Sequence, residues 1–325
     1  MRLRPVILIH DLGGSPQDWD RWGLVSYLVN VGGLDPRLIR RFDFGYVKRG
    51  TVPCYDAQGD LIRIAHRLAG DPAADTACQV DALAAESRAM GGPDKVSIVA
   101  VGAGGIIARY YLSRQSPDKW GTRYNGRVDK AILVGTPNRG AQLAAVVNPF
   151  PRPTWWTRWF RQPYSETTLK AVMAGVETLR DGVLAEMPSD ACPSLSPKAL
   201  GLLQVSERSF LLRYLNRAEC APKGVRFYCL AGEISVRLLV PGAEGRRQWD
   251  LHLGDLLVRS DSATRIAGVR PEVFMFSRAY EVDPKSPDAA NPLDWFGGDL
   301  PPVAHTRLMR HPEVHRTILD ILTQN

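Results

Sequence analysis

The segment Val96-Ser-Ile-Val-Ala-Val-Gly-Ala-Gly-Gly-Ile-Ile-Ala-Arg109 constrains the fold more than any other feature of the chain. Its first half is an unalternated, β-branched run, the pattern of a strand buried on both faces of a parallel sheet. The glycines then force a tight turn, and Ile106, Ile107, Tyr110 and Tyr111 follow at helical spacing. A strand that enters a helix through such a turn has two chemical uses. It can cradle a phosphate on the helix N-terminal amides, or it can lift one side chain above the sheet as a nucleophile elbow beside oxyanion-binding N–H groups. A dinucleotide site needs a third glycine and a later acid, but Gly102-Ala-Gly-Gly105 runs into Ile106-Ile107 and no Walker lysine follows.

The surrounding sequence repeats the strand-helix rhythm expected of a parallel sheet. Val6 to Ile9 reads as a buried strand, Asp18 to Val31 as a helix, Leu38 to Phe44 as a second strand, and Ala74 to Met90 as a helix. Gly104 to Arg114 continues the elbow segment as a helix, and Lys130 to Val134 is the next strand. From Gln142 to about Ala221 prolines and tryptophans cluster, and Leu169 to Leu184 and Ser206 to Leu215 look helical without strands between them. Strands resume at Val225 to Leu230 and Glu272 to Phe276, and a helix from Pro312 to Thr323 opens with proline at its favoured first position. The expected division is an α/β core over 1–141, a helical cap over 142–221 and the rest of the core over 222–325.

Composition excludes several alternatives. With 45% hydrophobic and 23% charged residues in 325, the chain can bury a large core and is neither disordered nor collagenous. The first apolar run is too short for a signal peptide and no stretch suits a membrane span. Cys54, Cys78, Cys192, Cys220 and Cys229 are odd in number and widely spaced, which points to thiols in a reducing cytoplasm rather than to disulfides or zinc. The net charge of +7 is spread along the chain, so no nucleic-acid partner is expected.

Five motifs, in order, resemble the lipase and esterase branch of the α/β-hydrolases, including bacterial triacylglycerol lipases and families related to GPI-inositol deacylases. They are Ile9-His10-Asp11-Leu12-Gly13-Gly14 after the first strand, the elbow segment itself, Gly135-Thr136-Pro137-Asn138-Arg139-Gly140, Gly254-Asp255-Leu256-Leu257-Val258, and His305-Thr306-Arg307-Leu308. The resemblance implies an α/β-hydrolase fold, a mainly parallel sheet with helices on both faces and a helical cap. It also implies Asp255 as the acid, chosen over Asp261 on motif position, His305 as the histidine, and the amides of Leu12 and Ala103 as the oxyanion hole.

One departure governs the functional reading. The position where such lipases carry serine is Gly102, which has no side chain, and Ser87, Ser97, Cys78 and Cys229 all fall away from the turn. Loss of the nucleophile in a serine hydrolase lowers turnover by about 10⁶. The leading expectation is a catalytically defective homologue that binds an acyl, lipid or protein partner. The alternatives are a genuine ester hydrolase represented by a serine-to-glycine form, in which Gly102→Ser alone would restore turnover, and Asp255/His305 base chemistry without a covalent intermediate. The exchange of glycine for Asp11 after His10, Val101 before the elbow and Asn138 in place of histidine read as relaxed selection for chemistry. His10 reads as a structural hydrogen-bonder.

Two further features are candidates for binding. Trp155, Trp156 and Trp159, interleaved with arginines, suit a membrane interface, a protein partner or simple packing of the cap. His311 and His315 are one helical turn apart, but with no third ligand evident they read as surface histidines, so no metal and no cofactor are expected.

Overall fold

A computed structural model describes residues 4–44, 60–70, 78–113, 121–122, 124–141, 203–207, 209–242, 245–282 and 293–324. Trp155, Trp156, Trp159, Cys54, Cys192 and the helix expected over 169–184 lie outside these residues.

Strand β1 (Val6–Ile9) and strand β3 (Val96–Val101) are buried at every position, Ser97 included, as their unalternated sequences predict. They pair in parallel, and β2 (Ile39–Phe42) and β4 (Val128–Val134) extend the sheet on either side. Strand β5 (Arg226–Gly242) follows β4, and β7 (Glu272–Val282) follows β5, giving the order β2-β1-β3-β4-β5-β7 with all pairings parallel. Beyond the end of β4, β5 continues as a hairpin with β6 (Gly245–His252), its one antiparallel partner. This is the α/β-hydrolase architecture that the motifs imply.

Parallel neighbours need right-handed crossovers, which fix the helix layers. The step from β1 out to β2 carries α1 (Asp18–Arg21) and α2 (Leu24–Asn30) on one face. The steps from β2 over to β3 and on to β4 carry α3 (Leu61–Ala69), α4 (Gln79–Ala89) and α5 (Ala103–Leu112) on the other. Contacts agree: α3 packs on α5 and α4, whereas the C-terminal helix packs on α2. After β4 and β6 come the short helices α6 (Phe210–Leu215) and α7 (Ser260–Ala263). Helix α8 (His305–Leu308) precedes α9 (Pro312–Thr323), which occupies the span expected from its proline start.

Elements α3 and β6 were not expected from the sequence, and the expected elements depart from their predicted bounds most clearly in two places. The helix expected over Asp18 to Val31 is broken at Trp22-Gly23, so that Trp19 can be buried edge-on against Trp22. The strands expected to stop at Leu230 and Phe276 run on to Gly242 and Val282, because Tyr228–Leu238 and Glu272–Val282 pair along their whole length and Ser235–Gly242 gains β6.

Lys130 is buried in β4, where its ammonium donates to the carbonyls of Ile321 (2.6 Å) and Gln324 at the end of α9. A cation there satisfies carbonyls that a helix terminus leaves unpaired and opposes the negative end of its dipole.

Candidate active site

The loop after β1, the turn after β3, the loop after β6 and the first residue of α8 meet at one site. Gly102 caps β3 and opens α5 with φ 53° and ψ −126°, a sharp strand-to-helix turn held by its N–H to Val134 O (2.9 Å). A serine tolerates this conformation only under strain, whereas glycine adopts it freely. Gly104, the second residue of α5, lies so close to the end of β1 that a Cβ would fall 2.4 Å from His10 O and 2.6 Å from Ile9 O. The glycines therefore let α5 begin directly against the end of β1.

The acid segment is a tight loop. Leu257 and Val258 both donate backbone N–H groups to Asp255 Oδ1, at 3.0 and 2.7 Å, and His305 N donates to Asp255 O at 2.9 Å. Leu256, between these groups, has φ 77°, the one positive φ outside glycine among the described residues. The loop leaves Asp255 Oδ2 to accept from His305 Nδ1 at 2.7 Å. The acid–histidine pair expected from the motifs is thus formed, and it is formed by Asp255; Asp261 instead pairs with Arg259.

The space above Gly102 is filled by the side chain of Asp11, so the change from glycine at this position is not relaxed selection alone. Asp11 Oδ2 accepts from His305 Nε2 at 2.9 Å. Asp11 Oδ1 accepts from Leu12 N at 2.8 Å and from Ala103 N at 2.6 Å, the two amides expected to form an oxyanion hole. The carboxylate also sits at the positive N-terminal end of α5. A Cβ built on Gly102 would lie 2.2 Å from Asp11 Cγ. His305 Nε2 thus faces a carboxylate and not an open space, and Gly102→Ser alone meets a collision. The sequence signal for Asp11 was present, a charge where the motif carries glycine, but its reach across 92 positions to Ala103 was not readable.

Burial by itself disfavours a charged imidazole at His305, but the Asp255 charge, the Asp11 hydrogen bond and the remaining carboxylate interactions outweigh it and hold its pKa well above 6.5. Both ring nitrogens of His305 face carboxylate oxygens, Nδ1 at 2.7 Å from Asp255 and Nε2 at 2.9 Å from Asp11, an arrangement that favours the imidazolium. Its side chain and that of Asp255 are 6% and 2% exposed, while Asp11 at 16% is the member that faces outward.

The neighbouring residues are structural. His10 is buried, stacks on Phe44 at 3.9 Å, and hydrogen-bonds through Nδ1 to Asp11 O. Asn138 accepts from Arg109 and donates to Ala263 O, tying the loop after β4 to α7. Ser87 donates to Pro93 O, and Ser97 is buried within β3. Burial pushes the Cys229 thiol up to about 12 and that of Cys78 upward, so neither is a ready nucleophile. Cys78, Cys220 and Cys229 are unpaired thiols.

His315 corrects an expectation: it is a core residue bonded to Met309 O at 2.6 Å, not a surface histidine, because α9 turns that face inward. Among the described residues no group of three His, Cys, Asp or Glu side chains is placed to hold a metal ion. No helix among them is long and apolar enough to cross a membrane.

No protein-family model matches the chain. No curated protein matches it either. Among solved structures it is similar to the mature form of Bacillus licheniformis lipase BlEst2, at 14% identity and a TM-score of 0.49 over 99% of this chain and 93% of that one. EstA from Clostridium botulinum is 12% identical, with a TM-score of 0.46 over 99% and 87% of the two chains. Lipase 1 from Pelosinus fermentans is 12% identical, with a TM-score of 0.45 over the full length of both.

Proposed function

We propose that this chain is a lipase/esterase-like α/β-hydrolase homologue that forms no acyl-enzyme and acts by binding an acyl, lipid or protein partner. The observation that carries this reading is the Asp11 carboxylate. It bonds both Leu12 N and Ala103 N, where a tetrahedral oxyanion would sit, and it takes the Nε2–H of His305.

Three steps of acyl transfer fail together. Gly102 offers no attacking group. The amides already hold a charge-assisted acceptor, which an ester carbonyl, being neutral, displaces poorly. His305, with both ring nitrogens taken up by carboxylate oxygens and its pKa raised, is poorly placed to take a proton on Nε2. The same protonation weighs against the base-chemistry alternative. The steric conflict between Asp11 and a side chain at position 102 weighs against a single serine-to-glycine origin.

The test is reaction with a fluorophosphonate probe and with short- and long-chain p-nitrophenyl esters. No covalent adduct and no turnover above background are expected. Ester hydrolysis at ordinary enzyme rates, reduced by His305→Ala, would refute the reading. The partner is tested by liposome flotation: loss of flotation on changing Trp155 and Trp156 to Ala supports a lipid surface, and absence of flotation by the unmodified chain directs the search to a protein or small acyl ligand.

A further inference from the structure

We propose that Asp11 is an internal lock on a preformed carboxylate pocket, and that Asp11 and Gly102 are a matched pair standing in for the glycine and serine of an ester hydrolase. The inference rests on the reading that the chain as it stands forms no acyl-enzyme. Ester hydrolysis at an elbow of this kind leaves a carboxylate with one oxygen on the paired amides and the other at the histidine. Asp11 adopts that arrangement from within the chain: Oδ1 lies 2.8 and 2.6 Å from the Leu12 and Ala103 nitrogens, and Oδ2 lies 2.9 Å from His305 Nε2. Its side chain is thus an intramolecular product mimic, present at an effective concentration that a free ligand cannot match.

The turn that carries the lock has backbone closures of its own. Gly14 N donates to Asp11 O at 3.1 Å and the His10 ring donates to the same oxygen at 2.8 Å, so the turn after β1 is closed by main-chain acceptors. Stacking of His10 on Phe44 fixes it further. Removing the Asp11 side chain therefore empties the pocket while these closures of the turn remain. A Cβ at residue 102 would start 2.2 Å from the carboxylate atoms, so a hydroxyl one bond further on falls in the volume that the carboxylate now fills.

With both positions changed, the remaining groups complete an acyl transfer. The introduced hydroxyl oxygen attacks the ester carbonyl carbon as its proton passes to His305 Nε2, and the carbonyl electron pair becomes an oxyanion received by Leu12 N and Ala103 N. Collapse re-forms the carbonyl and expels the alcohol, which takes the proton from His305. Water then repeats the sequence and releases the acid. Asp255 holds Nδ1 throughout.

The unmodified chain, D11G, G102S and D11G/G102S are compared with a fluorophosphonate probe and p-nitrophenyl butanoate. The double variant is expected to label and to hydrolyse the ester at least about 10²-fold faster than the other three, the scale associated with an intact oxyanion site. Separately, butanoate is expected to raise the melting temperature of D11G saturably and to leave that of the unmodified chain unchanged. G102S alone reacting as fast as the double variant, or a double variant that is folded by circular dichroism yet inert, overturns the proposal. If the double variant does not fold, the butanoate arm decides, and absence of a shift in D11G overturns it. Reaction of the unmodified chain would instead strike at the proposed function itself.

Discussion

The Asp11 carboxylate and a side chain at Gly102 would occupy the same space: an ideal Cβ on residue 102 falls 2.2 Å from Asp11 Cγ and 2.3 Å from Oδ1. Two changes that look unrelated in the sequence, a charge gained in one loop and a hydroxyl missing from another, are one steric and electrostatic event in the folded chain.

This coupling is measurable as stability. Gly102→Ala in the unmodified chain should cost about 3 kcal/mol, at the upper end of overpacking penalties, because the methyl meets a carboxylate fixed by three hydrogen bonds. The strain of an alanine at φ 53° is common to both backgrounds, so a double-mutant cycle with Asp11→Gly removes it. Urea denaturation should show a coupling of at least about 1 kcal/mol, and additive costs would deny the contact.

The charge on His305 gives a pH dependence of known sign. Its pKa is raised on folding, so the stability it contributes is complete below the unfolded value near about 6.5 and is lost as pH rises through the folded value. Melting temperatures measured from pH 5 to 10 should therefore show a falling difference between the unmodified chain and His305→Gln on the alkaline side. A difference that is constant with pH would contradict an imidazolium in this site.

Arg109 ties the elbow helix to the structure behind it. Its guanidinium is buried, donates to Asn138 O (3.0 Å), Asn138 Oδ1, Leu215 O (2.8 Å) and Asn216 Oδ1, and pairs with no carboxylate among the described residues. Burial pulls its pKa down to about 10, which leaves it a cation at neutral pH. Arg109→Met would strand these acceptors away from water and should cost about 3 kcal/mol in urea denaturation. Arg109→Lys should recover only part of this, since an ammonium cannot reproduce the planar fork.

Lys130 should act locally. Desolvation, joined by the nearby charges of Arg226 and Arg4, lowers its pKa to about 8, yet its ammonium closes the end of α9. Lys130→Met frees carbonyls at that terminus, so hydrogen exchange should quicken in the last turn of α9 well before it does in β4. Uniform quickening across both would indicate a global loss instead.

The parallel sheet, the sharp turn at Gly102 and the segments that bring Asp255 to His305 were legible in the sequence because each is written in local terms. Unalternated runs such as Val6–Ile9 mark strands buried on both faces, the glycines of 102–105 mark a close turn, and Pro312 marks a helix start. The same local reading took Asp11 for decay and His315 for a surface residue. It also stopped β5 and β7 short, because their outer halves are held by pairing with each other and with β6. What only the tertiary structure decided is the state of the site. Whether a carboxylate at position 11 is idle or occupies two amides and an imidazolium depends on distances between loops that are 92 and 294 residues apart along the chain. Hydrogen bonds and excluded volume act across space, and no spacing in the sequence encodes them.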